Sequence, residues 1–228
     1  MEQIDIKKYK ELQELQYAFY KALIGMIECK DLNTAEHIRR TSSYVTIIAD
    51  ELARNGHFSD LLTEEYIKKL SYAAQLHDIG KLFTPPTILN KPGKLTDEEF
   101  NTMKKHTLDG SKLISKILEN LSQNSETIKI LQIAQEIALY HHEKWNGLGY
   151  PYGISENEIP IAARIMAVAD VFDALSSKRV YKEAFPIEKS VRIIEEESGN
   201  QFDPLVVKAF LESFEDIEFI YKQKIKKL

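Results

Sequence analysis

Residues 64–81 of the chain read EEYIKKLSYAAQLHDIGK, a stretch whose apolar residues recur at helical spacing. Three of them, Tyr66, Leu70 and Ala73, share one face of a helix with His77, at intervals of four, three and four positions. We therefore predict a helix from Glu64 to about Ile79, with Gly80 near its end. Because His77 continues an apolar stripe, its imidazole is predicted to point into the protein.

The same periodicity recurs along nearly the whole chain. Further helices are predicted from Asn33–Glu36 to Asn55–Gly56, from Thr96, from Glu126 to His142 and from Pro160 to about Ser176, with two more in the C-terminal third. Residues 83–93, with three prolines, and residues 146–153, rich in glycine, are predicted to be loops. No run of alternating apolar and polar residues is long enough to predict a β-sheet, so the predicted fold class is all-α.

An amphipathic helix is predicted to precede the main domain. Apolar residues at Leu12, Leu15 and Phe19 alternate in spacing between three and four. This seam is typical of a bundle helix packed on its own core and also of a dimerising coiled coil. We assign residues 1–22 to this segment, as a linker or a homodimer contact, and residues 23–228 to one compact domain.

The composition excludes several classes of function. Thirty Lys and Arg against 35 Asp and Glu give a net charge of −5, which argues against bulk binding to a nucleic acid polymer or to anionic lipid. The one cysteine, Cys29, cannot form an internal disulfide. No apolar run reaches the roughly 18 residues that a membrane span needs. We expect a soluble, cytoplasmic protein without membrane insertion.

Polar residues interrupt the apolar faces of three predicted helices. They are His77 with Asp78, His141 with His142, and Asp170 with Asp173. Burying an unpaired carboxylate is costly unless its pKa shifts until it is neutral. A lone buried histidine is more often a hydrogen-bonded core residue than a metal ligand. For the whole set, however, that explanation would have to hold for each residue separately. A shared divalent cation explains the set together, and Asp173 either orients a ligand histidine or forms a cap or an ion pair.

The pairs of adjacent residues indicate two ions. Neighbours on a helix diverge by about 100°, so each pair can serve two cations side by side. Two metals roughly 3.5–4 Å apart can hold a bridging hydroxide and clamp a phosphoryl group for in-line attack. Histidine and carboxylate ligands without thiolate argue against structural zinc and iron–sulfur clusters. They suit Fe, Mn, Zn or Co, and the residues alone leave that choice open.

The motifs around these residues resemble a known family. Residues 77–81, HDIGK, resemble the signature of HD phosphohydrolases, and residues 141–151, HHEKWNGLGYP, resemble that of the HD-GYP subfamily. The segments KPGKLTDEE at 91–99, ADVFDAL at 169–175 and QFDP at 201–204 fit the same pattern. The resemblance covers roughly residues 20–215. It implies a helical bundle of the HD superfamily with a preceding N-terminal helix.

The resemblance also implies a set of site residues. Carried over position by position, the metal ligands are His37, His77, Asp78, His106, His141, His142 and Asp170. Asp78 resembles the bridging carboxylate, and Lys81 resembles the residue that contacts the scissile phosphate, so both are expected to be catalytic. We expect two divalent ions, with Fe or Mn favoured and a third ion left open.

Substrate contacts are implied as well. Arg179 and Lys182 resemble basic residues that hold the phosphate and the guanine edge of the substrate. The Gly149-Tyr150-Pro151 loop resembles the element that names the subfamily. It is expected to contact the substrate through Tyr150 and Pro151, and it is a candidate surface for a signalling protein partner.

The function that follows is a metal-dependent phosphodiesterase. It would hydrolyse cyclic di-GMP to pGpG, to GMP or to both, by attack of a metal-bridging hydroxide. One alternative is a module that binds cyclic di-GMP or a partner protein without turnover. Another is a phosphohydrolase for a different nucleotide or cyclic dinucleotide, which the fold alone does not exclude. No ligand position of the pattern is lost, which favours an enzyme.

Overall fold

The computed structural model describes residues 14, 18, 21–26, 34–121, 126–177 and 184–225. Within these ranges the chain is built from helices, and the one β-type pairing is an isolated bridge between Ser198 and Phe202. The all-α prediction is therefore confirmed. The α-helices that follow residue 33 are α1 (Thr34–Arg54), α2 (Glu64–Ala74), α3 (Pro86–Leu89), α4 (Asp97–Lys104), α5 (His106–Leu118), α6 (Glu126–Tyr140), α7 (Ile161–Ser176), α8 (Ile187–Glu196), α9 (Pro204–Glu212) and α10 (Phe214–Ile225).

Helix starts that carry a local sequence signal were predicted correctly. The hydroxyl of Thr96 accepts a hydrogen bond from the backbone N–H of Glu99 (3.3 Å), and the Glu99 carboxylate accepts one from the N–H of Thr96 (2.7 Å). This capping box fixes the start of α4. The predicted bounds of α1, α6 and α7 are confirmed to within about two residues, the usual uncertainty of helix ends.

The predicted end of α2 was wrong. The helix stops at Ala74, and His77 and Asp78 lie in a turn that leads into a 3₁₀ helix, Ile79–Phe83. The 3₁₀ helix packs on α5, and the two backbones meet so closely that a Cβ at Gly80 would lie 1.8 Å from the carbonyl oxygen of His106. The chain leaves the α2 axis to make this contact.

Two smaller predictions also differ from the structure. Residues 83–93 are not entirely loop, because the short helix α3 begins at Pro86. Proline is common at the first position of a helix, since the backbone nitrogen there has no hydrogen-bond partner within the helix. The described part of the C-terminal third, residues 184–225, holds three helices, α8, α9 and α10, instead of two.

Helix α1 lies at the centre of the bundle. Helices α2, α7, α9 and α10 pack against it, and α6 packs against α2, α5 and α7. Fully buried side chains fill the space between these helices, among them Tyr44, Ile48, Leu52, Leu70 and Phe172. The apolar face of α2 that the sequence predicted is part of this core, since Leu70 and Ala73 have no exposed surface.

None of the described helices has both the length and the apolar character needed to cross a bilayer. Of the predicted helix at residues 1–22, only residues 14, 18, 21 and 22 are among those described, and all four are helical. The division at residue 22 and the homodimer contact stay predictions.

Candidate metal centre

The structure brings the predicted ligand residues together from five parts of the chain. His37 lies in the first turn of α1, His106 opens α5, and Asp170 lies in α7. The turn after α2 and the end of α6 supply the remaining four, His77 with Asp78 and His141 with His142. Two groups each have ligand atoms within 4.8 Å of one another: His37, His77 and Asp78, and His106, His141 and His142.

The carboxylate of Asp78 lies between these two groups. Its Oδ1 is 3.5 Å from Nε2 of His106 and 3.9 Å from Nε2 of His141. Its Oδ2 is 3.2 Å from Nε2 of His77 and 2.6 Å from Nζ of Lys81. One oxygen therefore faces each group, and the bridging role of Asp78 stays a prediction.

Three of the imidazoles are fixed through Nδ1 by backbone carbonyls. His77 binds the carbonyl oxygen of Ala74 (2.9 Å), His106 that of Met103 (2.8 Å) and His141 that of Ile137 (2.9 Å). A carbonyl oxygen can only accept, so each Nδ1 carries the proton. In the neutral ring, Nε2 then has the free lone pair, and metal-binding histidines are commonly held in this way.

His37 is held by a side chain instead. Its Nδ1 donates to Oδ2 of Asp173 (2.8 Å), and its Nε2 is 3.5 Å from Oδ1 of Asp170. The guanidinium of Arg40 binds both Asp173 oxygens, through Nε (2.5 Å) and Nη2 (2.9 Å). His37 is thus the histidine that Asp173 orients, and Arg40 holds Asp173.

Burial and neighbouring charges set the protonation of the site. Burial lowers the pKa of His141 to about 3 and that of His142 well below its ordinary value, and it also lowers the pKa of His106. These rings are neutral near pH 7, the form that binds metal. Burial opposes the ionisation of Asp78, but the ammonium group of Lys81 holds its pKa well below the usual range.

A divalent cation fits these residues. Among the described side chains, Nε2 of His77 and Oδ1 of Asp78 are buried and make no hydrogen bond, although Nε2 of His77 lies 3.2 Å from the other Asp78 oxygen. A buried polar atom without a partner is uncommon and costly. An imidazole lone pair and a carboxylate oxygen are donors of the kind that a divalent cation needs.

The predicted substrate residues are only partly described. The ring of Tyr150 packs on His142, with 4.8 Å between the ring centroids, and its backbone N–H donates to the His142 carbonyl (3.2 Å). Pro151 follows it in the same half-buried loop. Arg179 and Lys182 lie outside the described residues.

Two residues of the site escaped the sequence analysis. One is Arg40, a 4% exposed residue of α1 that no motif in the sequence singles out. The other is Glu143, a 3% exposed carboxylate whose Oε1 accepts from the backbone N–H groups of Tyr152 (2.7 Å) and Gly153 (3.1 Å). Glu143 thereby holds the loop that carries Tyr150. Its position directly after two histidines was the available signal.

The fold and the site together define an all-α protein with two histidine-rich groups suited to divalent metals. The HD domain model matches residues 23–206, and the chain therefore belongs to the HD domain family. The resemblance to its HD-GYP members is also confirmed.

Several known proteins are similar to the chain. A cyclic di-GMP phosphodiesterase of Vibrio cholerae is 48% identical over 83% of the chain and 38% of its own length. One of Thermotoga maritima is 40% identical over 95% of the chain and 54% of its own length. The chain thus spans about half the length of these curated relatives, or less. A solved structure of a cyclic GMP-AMP specific phosphodiesterase of V. cholerae is similar in fold, with a TM-score of 0.57 at 18% sequence identity. The match covers 88% of this chain and 50% of the chain in that structure.

Proposed function

We propose that the chain is a metal-dependent phosphodiesterase that hydrolyses cyclic di-GMP. One observation carries the proposal: the Nε2 atoms of three anchored histidines, His77, His106 and His141, lie within 4 Å of the Asp78 carboxylate. The names of the relatives at 48% and 40% identity support the choice of substrate. The wider class, a metal-dependent phosphohydrolase, fits the same donor set.

Two divalent ions would be held by the two groups of residues. One group is His37, His77 and Asp78, with Asp170 beside His37, and the other is His106, His141 and His142. We propose Fe or Mn, since imidazole and carboxylate ligands suit both, and leave a third ion open. When bound, such ions lower the pKa of a water molecule and neutralise charge on the phosphoryl oxygens.

The residues of the chain itself would position the substrate. Lys81 is proposed to neutralise charge on the scissile phosphate, because its ammonium group lies beside Asp78 and keeps 19% of its side-chain surface exposed. Tyr150 and Pro151 are proposed to line the entrance next to His142. The proposed roles of Arg179 and Lys182, as contacts to a phosphate or to guanine, stay predictions from the sequence.

Other parts of the proposal concern the setting of the enzyme. We propose that it acts in the cytoplasm, in keeping with its single cysteine. A signalling partner at the Gly149-Tyr150-Pro151 loop and a homodimer through residues 1–22 stay predictions.

A product assay on metal-loaded protein tests the function. The protein is purified without oxygen, its metal is quantified, and cyclic di-GMP is followed to pGpG and GMP by chromatography. We expect His77→Ala and Asp78→Ala to abolish turnover while the helical circular dichroism is kept. His57→Ala is the matched control, because His57 is a half-buried histidine outside both groups.

Other outcomes would redirect the proposal. Hydrolysis of a different cyclic dinucleotide in preference to cyclic di-GMP would favour the broader phosphohydrolase. Binding of cyclic di-GMP without turnover in metal-loaded protein would favour the non-catalytic module. Lys81→Ala should lower kcat more than affinity, and a loss of affinity alone would show that its role is misassigned.

A further inference from the structure

A chain of aromatic contacts leads from the metal centre to the surface. The ring of His142 packs on Tyr150, and the Tyr150 ring meets that of Phe100 edge-on, with 6.2 Å between the centroids. Phe100 lies on α4 and is 46% exposed. An exposed aromatic ring two contacts away from a candidate metal ligand offers a flat apolar face at the rim of the site.

A positive charge lies over the same rings. Lys104 follows Phe100 by one helical turn, and its Nζ is 5.3 Å from the centroid of Phe100 and 6.0 Å from that of Tyr150. Lys104 is half-buried, and no carboxylate partner of its ammonium group is found among the described residues. The aromatic faces hold the ammonium group near them without neutralising it.

Helix α4 is rigidly tied to the metal centre. Its start is fixed by the capping box at Thr96, and Lys91 bonds the Glu99 carboxylate (2.6 Å). Near its end, the carbonyl oxygen of Met103 accepts the Nδ1 proton of His106 (2.8 Å). A molecule bound by Phe100 and Lys104 would therefore lie at a fixed distance from the residues around Asp78.

We propose that Phe100 and Lys104 form a guanine-selective base subsite of this enzyme, an inference that rests on the proposed cyclic di-GMP phosphodiesterase activity. The face of Phe100 stacks on the base, since aromatic side chains bind bases of any sequence in this way. The ammonium group of Lys104 donates to O6 and N7 of guanine. Adenine presents an amino group where guanine has O6, so a donor at this place favours guanine.

The test separates stacking from base selection. Metal-loaded variants are assayed with cyclic di-GMP, and calorimetry in the presence of a chelator measures the binding of cyclic di-GMP and cyclic di-AMP without turnover. We expect Lys104→Met to raise KM for cyclic di-GMP by about tenfold with kcat and metal content unchanged, and to weaken cyclic di-AMP binding by less, because adenine keeps the N7 acceptor but has no O6. We expect Phe100→Leu to weaken both ligands by about tenfold.

Matched controls exclude general effects of charge and apolar surface. Lys105→Met removes the same charge from the next, exposed residue, and Phe219→Leu changes a 64% exposed phenylalanine on α10. Neither should change KM, whereas Lys104→Arg should keep the preference for guanine.

Each other outcome counts against one specific claim. Unchanged KM and unchanged binding in both Phe100→Leu and Lys104→Met would overturn the subsite. Equal weakening of both dinucleotides by Lys104→Met would overturn the guanine selection, since the lysine would then hold a phosphate. If the wild-type protein fails to hydrolyse cyclic di-GMP, the proposed function fails, and the calorimetry still decides whether the subsite exists.

Discussion

Replacing Asp173 by Asn should destabilise the protein strongly. Asp173 is 1% exposed and binds the guanidinium of Arg40, itself 4% exposed, through both carboxylate oxygens. In Asp173→Asn the positive charge of Arg40 stays buried, and its one remaining carboxylate contact among the described residues is the largely exposed Glu36 (3.3 Å). Removal of one member of a buried ion pair costs about 3–5 kcal/mol. Since the Asn oxygen can still accept one hydrogen bond, we expect the lower end, about 3 kcal/mol.

Urea unfolding, followed by far-ultraviolet circular dichroism, measures this loss of unfolding free energy. The dependence of the free energy on urea concentration (the m value) is held equal for all variants. The matched control is Glu36→Gln, because Glu36 also contacts Arg40 (3.3 Å) but is largely exposed. That control should cost no more than about 0.5 kcal/mol. The double variant Arg40→Met, Asp173→Leu should regain much of the stability, since it removes both charges and fills the space with apolar groups.

The same double variant separates stability from metal binding. It folds without the buried pair, but Nδ1 of His37 has no acceptor, so we expect its metal affinity to fall about 10- to 100-fold. If Asp173→Asn lowers the free energy of unfolding by less than about 1 kcal/mol, the claim that the Asp173–Arg40 pair is shielded from water is refuted. Unchanged metal affinity in the double variant would refute the claim that Asp173 orients His37.

Two further changes test the backbone that supports the site. Gly80→Ala places a methyl group 1.8 Å from the carbonyl oxygen of His106, so it should destabilise the fold by about 3 kcal/mol and weaken metal binding. The control is Gly25→Ala, which should not destabilise the fold because the space around Gly25 is open. Thermal unfolding compares the two variants. Glu143→Ala removes the acceptor of two loop amides and should speed hydrogen exchange of residues 152 and 153; unchanged exchange would show that the loop is held by other contacts.

The sequence predicted those parts of the fold that depend on local signals. The start of α4 follows from the Thr96–Glu99 capping box, and α7 follows from a proline before a long apolar run. The end of α2 depends on a tertiary contact between Gly80 and the first residue of α5, and helical periodicity carries no information about it. The extended helix beyond Ala74 was therefore wrong for a physical reason.

The site was predictable to a different degree for each residue. Asp78 and Asp170 stood out because a carboxylate within an apolar stripe demands compensation. Arg40 gave no such signal, since its partner Asp173 lies 133 residues further along the chain. His37 and His106 were expected as ligands only through the family resemblance. The structure now brings His37 to the group of His77 and Asp78, and His106 to that of His141 and His142.

Helix ends explain how the fold orients three of the four anchored histidines. The last carbonyl groups of a helix lack partners within the helix. His77, His106 and His141 each follow such an end and donate Nδ1–H to a carbonyl three or four residues earlier. Each bond fixes the ring and leaves Nε2 turned toward Asp78, although the carbonyls of Ala74 and Ile137 also accept the backbone N–H of the same histidine. His37 lies in the first turn of α1, and its Nδ1 donates to a side chain instead. The buried pair of Asp173 and Arg40 supplies that acceptor.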